Sequence, residues 1–187
     1  MAIKLCGTEY LHVGRNTLYN EPISIVSSAE AEVHIGSFGA IGKNLKILTL
    51  NHDYNYPAVQ GSLYRHYFES PHPGALGEGT RERTKGDVHI GSDVWIGDDV
   101  KIMSGVTIGH GCCIGAGSIV TRDLAPYSIA AGIPCKAIKQ RYNDDMVHFL
   151  LELCWWDWSD EKIKSNKDFF MSNLSSMSVS DIQALIK

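Results

Sequence analysis

Val88-His-Ile90-Gly-Ser-Asp-Val94-Trp-Ile96-Gly-Asp-Asp-Val100-Lys-Ile102-Met-Ser-Gly-Val106-Thr-Ile108-Gly-His-Gly-Cys112-Cys-Ile114-Gly-Ala-Gly-Ser118-Ile-Val120 is the stretch that decides the fold. An aliphatic side chain returns at every sixth position, Ile90, Ile96, Ile102, Ile108, Ile114 and Val120, and glycine follows it in four of those six places. Two residues earlier stands a smaller partner: Val88, Val94, Val100, Val106, Cys112 or Ser118. An amphipathic helix repeats about every 3.6 residues and a strand about every 2, so neither yields a strict six. The period fits a coil of flat sides, with the aliphatic residue turned inward and the glycine where a side chain would clash and the chain must turn. Three such sides close a coil of about eighteen residues, and coils stacked at roughly 4.8 Å pile equal positions into inward ladders. The expectation is a parallel β-helix.

Upstream, the same phase runs through Ala29, Ile35, Ile41 and Ile47, with Val33, Gly39 and Leu45 in the smaller position. It stops at Leu50-Asn-His52 and resumes at Val88. The organisation expected is an all-β core with an α appendage: an irregular N-terminal cap over 1–28, a β-helix over 29–142 interrupted by an insert over 53–87, and a helical tail over 143–187. In the cap, Leu11-His-Val13-Gly14 hints at a coil, but Asn16, Asn20 and Pro22 break the pattern. Loops longer than about 15 residues inside a compact domain are usually functional or disordered. The first half of the insert, with Tyr54, Tyr56, Tyr64, Tyr67 and Phe68, reads as a binding lid, and the charged stretch Glu78 to Gly86 reads as mobile. In the tail, Asn143 is a candidate N-cap followed by Asp144 and Asp145, Ser159 opens a second helix containing Ile163, Phe169 and Phe170, and a third starts near Ser180. These helices are expected to cover the open end of the coil, where strand edges would otherwise stand unpaired.

At 187 residues and a formal net charge of -4, the chain has room for one cored domain and lacks the concentrated basic face of a nucleic-acid binder. No apolar run approaches a membrane span and the N-terminus lacks a secretory pattern, so a cytoplasmic location is expected. The five cysteines, Cys6, Cys112, Cys113, Cys135 and Cys154, contain no C-x-x-C pair, and no metal-ligating set is expected from them. Cys112 falls on an inward position as a small hydrophobe.

Three stretches give the chain a sharper likeness: Asn51-His52 directly before the long excursion, Gly86-Asp-Val88-His-Ile90-Gly-Ser-Asp-Val94-Trp-Ile96-Gly97 re-entering the coil, and Arg141-Tyr-Asn-Asp-Asp145 followed by Leu153-Cys-Trp-Trp-Asp-Trp158. Together they resemble the hexapeptide-repeat acyltransferases, in the xenobiotic branch that acetylates chloramphenicol and streptogramins. The resemblance implies a left-handed β-helix. It also implies transfer of acetyl from acetyl-CoA to a small acceptor, in a homotrimer with its sites between neighbouring subunits.

By that resemblance His52 is the catalytic histidine. The chemistry suits it, because an alcohol becomes a competent nucleophile when a base takes its proton during attack, and imidazole can accept that proton and return it. The acceptor site is expected to use Asn51, Tyr54, Tyr56 and Trp95, the last a large aromatic on an outward position. The CoA site is expected to use Gly105, Gly117, Thr121, Arg122, Lys136 and Lys139. Two departures bear on this: the family's Gly-Asn-Pro-Ala reads Gly132-Ile-Pro-Cys135, and the N-terminal part is shorter and less regular. The expected activity is O-acetylation of an antibiotic-like compound or a polysaccharide sugar. The alternatives are N-acetylation of a nucleotide-linked amino sugar and a non-catalytic β-helix scaffold. A zinc carbonic anhydrase on the same helix would need an H-x4-H spacing that the chain lacks. His66 and His72 could line the acceptor pocket but read more simply as surface residues.

Overall fold

The computed structural model describes residues 2–75 and 83–187. A short strand, β1 (Ile3–Lys4), precedes three strands that already complete one coil: β2 (Leu11–Val13), β3 (Leu18–Tyr19) and β4 (Ile23–Val26). The second coil follows with β5 (Val33–Ile35), β6 (Ala40–Ile41) and β7 (Leu45–Leu48). After the insert come β8 (Val88–Ile90), β9 (Trp95–Ile96), β10 (Lys101–Met103), β11 (Thr107–Ile108), β12 (Cys113–Ile114), β13 (Ile119–Val120), β14 (Ser128–Ala131) and β15 (Lys136–Gln140).

The strands sort into three faces of a prism. The first stacks β2, β5, β8 and β11, the second β3, β6, β9, β12 and β14, and the third β4, β7, β10 and β13, all in parallel register. The second face is extended at its two edges by antiparallel partners, β1 on β3 and β15 on β14. The core is the inward ladder that the period demands: Val33, Ile41, Leu45, Ile47, Val88, Ile96, Val100, Ile102, Ile108, Ile114 and Val120 are all buried. Cys112 is buried in the same column.

Two expectations need correcting here. The segment 1–28 is not an irregular cap, since Leu11 pairs with Val33, Leu18 with Ala40 and Ile23 with Leu45. Each of those steps is 22 residues, against 18 from His89 to Thr107; the six-residue phase holds within the first coil, at Val13, Tyr19 and Ile25, and the extra length sits in the one corner between β4 and β5. Ala29 is exposed in that corner, and the inward phase resumes at Ala31 and Val33. The glycine after the aliphatic residue stands where a side chain would clash, as expected, but does not itself make the turn. Gly36 and Gly91 do not have positive φ; a Cβ on Gly36 would lie 2.5 Å from the amide nitrogen of Ser92 in the next coil. The turning itself is done two residues later, where Asn16, Phe38, Asp93, Gly111 and Tyr127 hold left-handed φ values of 57, 59, 58, 70 and 57° in one column.

The insert holds α1 (Gly61–Phe68), and the tail holds α2 (Asp144–Leu153), α3 (Asp160–Ser165), α4 (Lys167–Phe170) and, near its end, α5 (Val179–Gln183). Asn143 and Ser159 cap as expected, accepting from the Met146 and Lys162 amides. The second helix breaks at Asn166, and the last is capped by Ser178 rather than Ser180. The tail does not sit over the open end of the prism. It lies along the corner between the first and second faces: Trp155 packs on Phe38, Trp156 stacks on His110 at 4.4 Å, and Arg15 pairs with Asp160 at 2.8 Å while also donating to the Trp158 carbonyl. Arg141 completes the attachment by donating to Asp93 at 3.0 Å and to the Gly111 carbonyl at 2.8 Å. The apolar face of the tail is wide enough to need a side, and the corner column supplies one through Tyr127, which is buried with Met146, Leu150, Trp158, Phe169 and Ile182.

Candidate active site

His52 leaves the prism at the corner between the third and first faces, four residues after β7 ends. Its side chain is exposed, and its Nδ1 lies 2.8 Å from the carbonyl oxygen of Val59. A carbonyl can only accept, so Nδ1 carries the hydrogen and Nε2 keeps the free lone pair. That is the tautomer a general base needs, and it is held by the insert folding back on its own start.

The first half of the insert is organised from inside by His72, which is buried at 7% exposure rather than lying on the surface. Its Nε2 faces the Ala58 carbonyl at 3.0 Å and its Nδ1 accepts from the Gly74 amide at 3.0 Å, while Tyr56 and Tyr64 meet its ring edge-on at 5.2 and 4.8 Å. Asp53, buried beneath this group, accepts from the Asn55 amide at 2.9 Å and packs so closely on Gly74 that a Cβ there would come within 2.8 Å of its own Cβ. The base of the insert is clasped as well. The Asn51 amide donates to the Arg83 carbonyl at 2.6 Å, and the Arg83 guanidinium bonds both Glu30 oxygens at 2.7 and 3.0 Å. That contact holds the Glu30 carboxyl below its ordinary range. His52, Asp53, Arg65, His72 and Arg83 line a cavity of about 200 Å³. The charged stretch read as mobile falls, for residues 78–82, outside the described residues.

The other expected site residues are spread over the prism. Tyr54 is exposed, whereas Tyr56 is tied into the interior of the insert by His72. Trp95 projects from the second face, half exposed, between Ala40 and Cys113. It borders a groove of about 450 Å³ with Leu18, Asn20, Ala40, Asp98 and Ala116, which His52 does not line. Gly105 turns the same corner that His52 leaves from, at φ 73°, and a Cβ there would meet the Lys85 carbonyl at 2.6 Å. Thr121 and Arg122 lie exposed on that corner one coil on. Gly117, at φ 72°, is on the next corner with open space around it, and Lys136 and Lys139 are exposed on β15 at the edge of the second face. One chain therefore brings His52, Gly105, Thr121 and Arg122 to one corner and Trp95, Lys136 and Lys139 to another face.

Sequence reasoning missed the Val59 carbonyl and the Glu30–Arg83 clasp. The first is a main-chain group and leaves no residue signature; the second joins positions 53 apart.

Residues 87–122 match the family model described as bacterial transferase hexapeptide (six repeats). Over 140 residues the chain is 37% identical to a chloramphenicol acetyltransferase of Escherichia coli, covering 74% of this chain and 66% of that protein. It is 51% identical over 88 residues to a probable macrolide acetyltransferase of Lysinibacillus sphaericus, covering 47% and 49% of the two chains. Among solved structures it is similar to a hexapeptide-repeat acetyltransferase of Vibrio cholerae complexed with acetyl coenzyme A, with a TM-score of 0.53, 26% identity, and coverage of 71% and 61%. The chain spans between about half and two thirds of the length of these relatives. Among the described residues, no helix is long and apolar enough to cross a membrane.

Proposed function

We propose, from the hexapeptide repeat of this chain and its likeness to chloramphenicol and macrolide acetyltransferases, that it transfers acetyl from acetyl-CoA to a hydroxyl of a small acceptor, with His52 as general base on a left-handed coil. The observation that supports this most directly is the 2.8 Å contact from His52 Nδ1 to the Val59 carbonyl, which leaves Nε2 as an exposed proton acceptor. In the reaction Nε2 takes the hydroxyl proton as the oxygen attacks the thioester carbonyl, the C–S bond breaks, and the proton returns to the departing thiolate. Acetyl-CoA is the co-substrate; Gly117 leaves its corner of the backbone open to the pantetheine arm, Gly105 packs instead against Lys85, and Arg122, Lys136 and Lys139 are exposed cations suited to the phosphates.

The separation of His52 from Trp95 supports a site shared between copies. A pocket using both residues needs the His52 corner of one subunit against the second face of another, as in the homotrimer with sites between subunits that the sequence resemblance implies.

The test is release of free thiol from acetyl-CoA across chloramphenicol, macrolide, streptogramin, sugar and nucleotide-amino-sugar acceptors, with His52→Ala in parallel. Turnover of a hydroxyl acceptor that the variant loses supports the reading. Turnover of an amine acceptor alone would replace it with N-acetylation, and absence of CoA binding would replace it with a scaffold role. Site sharing is tested by mixing inactive His52→Ala with inactive Trp95→Ala chains. Recovery of activity in the mixed assembly is expected, and no recovery in a verified mixed oligomer would rule sharing out.

A further inference from the structure

The first face carries on its outer side a column of histidines that the hexapeptide phase stacks but the acetyl-transfer reading does not use. His12 is in register with His34, and His34 with His89, on β2, β5 and β8. Their rings lie nearly parallel, with centroids 4.6 and 4.7 Å apart. Acidic residues stand at equivalent places just ahead of two of these strands, Glu32 before β5 and Asp87 before β8. One carboxylate oxygen of Glu32 lies 2.8 Å from His12 Nε2 and 3.5 Å from His34 Nε2. In Asp87, by contrast, Oδ1 is already accepting from the Glu32 amide at 2.8 Å. Two triads result, His12–Glu32–His34 and His34–Asp87–His89, in each of which one ligand atom per residue falls within 4.8 Å of the others.

We propose that this column binds one divalent transition-metal ion per chain, held by His12, Glu32 and His34. Two imidazoles and a carboxylate are a donor set suited to Zn²⁺, Ni²⁺ or Cu²⁺, and three protein ligands leave a coordination position open to water or to another ligand. Coordination through His12 Nε2 replaces its present contact with Glu32, the ring hydrogen then residing on Nδ1. Stacked rings aim their lone pairs side by side rather than at one point; a modest rotation of the half-exposed His12 and His34 side chains, 50% and 37% accessible, turns them toward a common ion. Access is provided by an open cavity of about 1010 Å³ along this face, bordered by His12, His34, His89 and Thr107. His34 belongs to both triads, which limits the column to a single ion when the same nitrogen serves each. The Glu32 triad is the tighter of the two because its carboxylate already reaches both rings.

The experiment is calorimetric titration of ZnCl₂ into the full chain, purified without a histidine tag, with the visible spectrum of the Co²⁺ complex as a second readout. One ion per chain is expected. His34→Ala should weaken binding by more than the roughly 10- to 100-fold that loss of a merely supporting residue costs, and Glu32→Gln, which removes the charge but keeps the shape, should weaken it in the same direction. His148→Ala removes an exposed histidine paired with Glu152 on α2 and should leave binding unchanged. The proposal is overturned if no stoichiometric binding is seen, or if binding persists unchanged in Glu32→Gln and in folded His34→Ala, which would place the ion elsewhere.

Discussion

The imidazole of His52 donates from Nδ1 to the carbonyl of Val59 at 2.8 Å, so the insert holds the ring that it exposes. Replacing His52 by alanine removes the proton acceptor without touching the coil. A fall in kcat of about 10²- to 10⁴-fold is expected, the usual contribution of a positioned base. Affinity for CoA, measured by direct binding, should stay within about twofold. Equal losses in both would mean that His52 serves binding rather than proton transfer.

Glu30→Gln tests the clasp that closes the insert. The pair with Arg83 is partly exposed, with side chains 27% and 24% accessible, so the loss in global stability should be small, about 0.5–1 kcal/mol. Limited proteolysis is the more sensitive measure, and cleavage within the insert should quicken in the variant. The pH dependence has a definite sign. The folded carboxyl titrates below its ordinary value, so the contribution of the clasp is complete above the unfolded pKa near about 4.3 and is lost as the pH falls through the lower folded value.

Two glycines should respond differently to alanine. In Gly36→Ala the new Cβ would lie 2.5 Å from the Ser92 nitrogen and 2.6 Å from the Gly91 carbonyl carbon, both main-chain atoms of the next coil. Coils must separate to admit it, at about 3 kcal/mol or more. Gly117→Ala meets open space and suffers only from φ 72°, about 1 kcal/mol. Denaturant melts of the two variants should rank them in that order.

His110 links the tail to the corner through its stack on Trp156, with Nδ1 accepting from the Ser92 amide at 2.9 Å. Burial pushes its pKa below the ordinary histidine value. The folded form therefore resists protonation, and stability present above the unfolded pKa near about 6.5 is lost as the pH falls toward the lower folded value. Tail melting followed by tryptophan fluorescence should weaken over that interval, and His110→Asn should flatten the slope.

How much was legible depends on how far apart the interacting residues lie. The run Val88 to Val120 announces its inward ladder because each hexad repeats the one before it, and the buried Ile90, Ile96, Ile102, Ile108 and Ile114 follow it without exception. The coil from Leu11 to Val26 was hidden because four added residues in the corner after it offset its phase from that of the next coil, while the strand pairing is kept. His52 was legible as a residue through its neighbour Asn51 and the excursion after it. Its tautomer was not, because a main-chain oxygen determines it.

The sequence by itself determined the β-helix and the residues of its core from Val33 to Leu48 and from Val88 to Val120, since in a stacked coil each turn contacts only its neighbours and a local period is enough to specify the contacts. Tertiary structure decided the rest: the tail along a corner instead of over an end, the closing of the insert by Glu30 and Arg83, and the column of His12, His34 and His89. Those contacts join residues separated by an insert, by most of the chain or, for His12 and His34, by a lengthened corner, and which side chains meet depends on how many residues each coil spends in its corners, a quantity that no local pattern encodes.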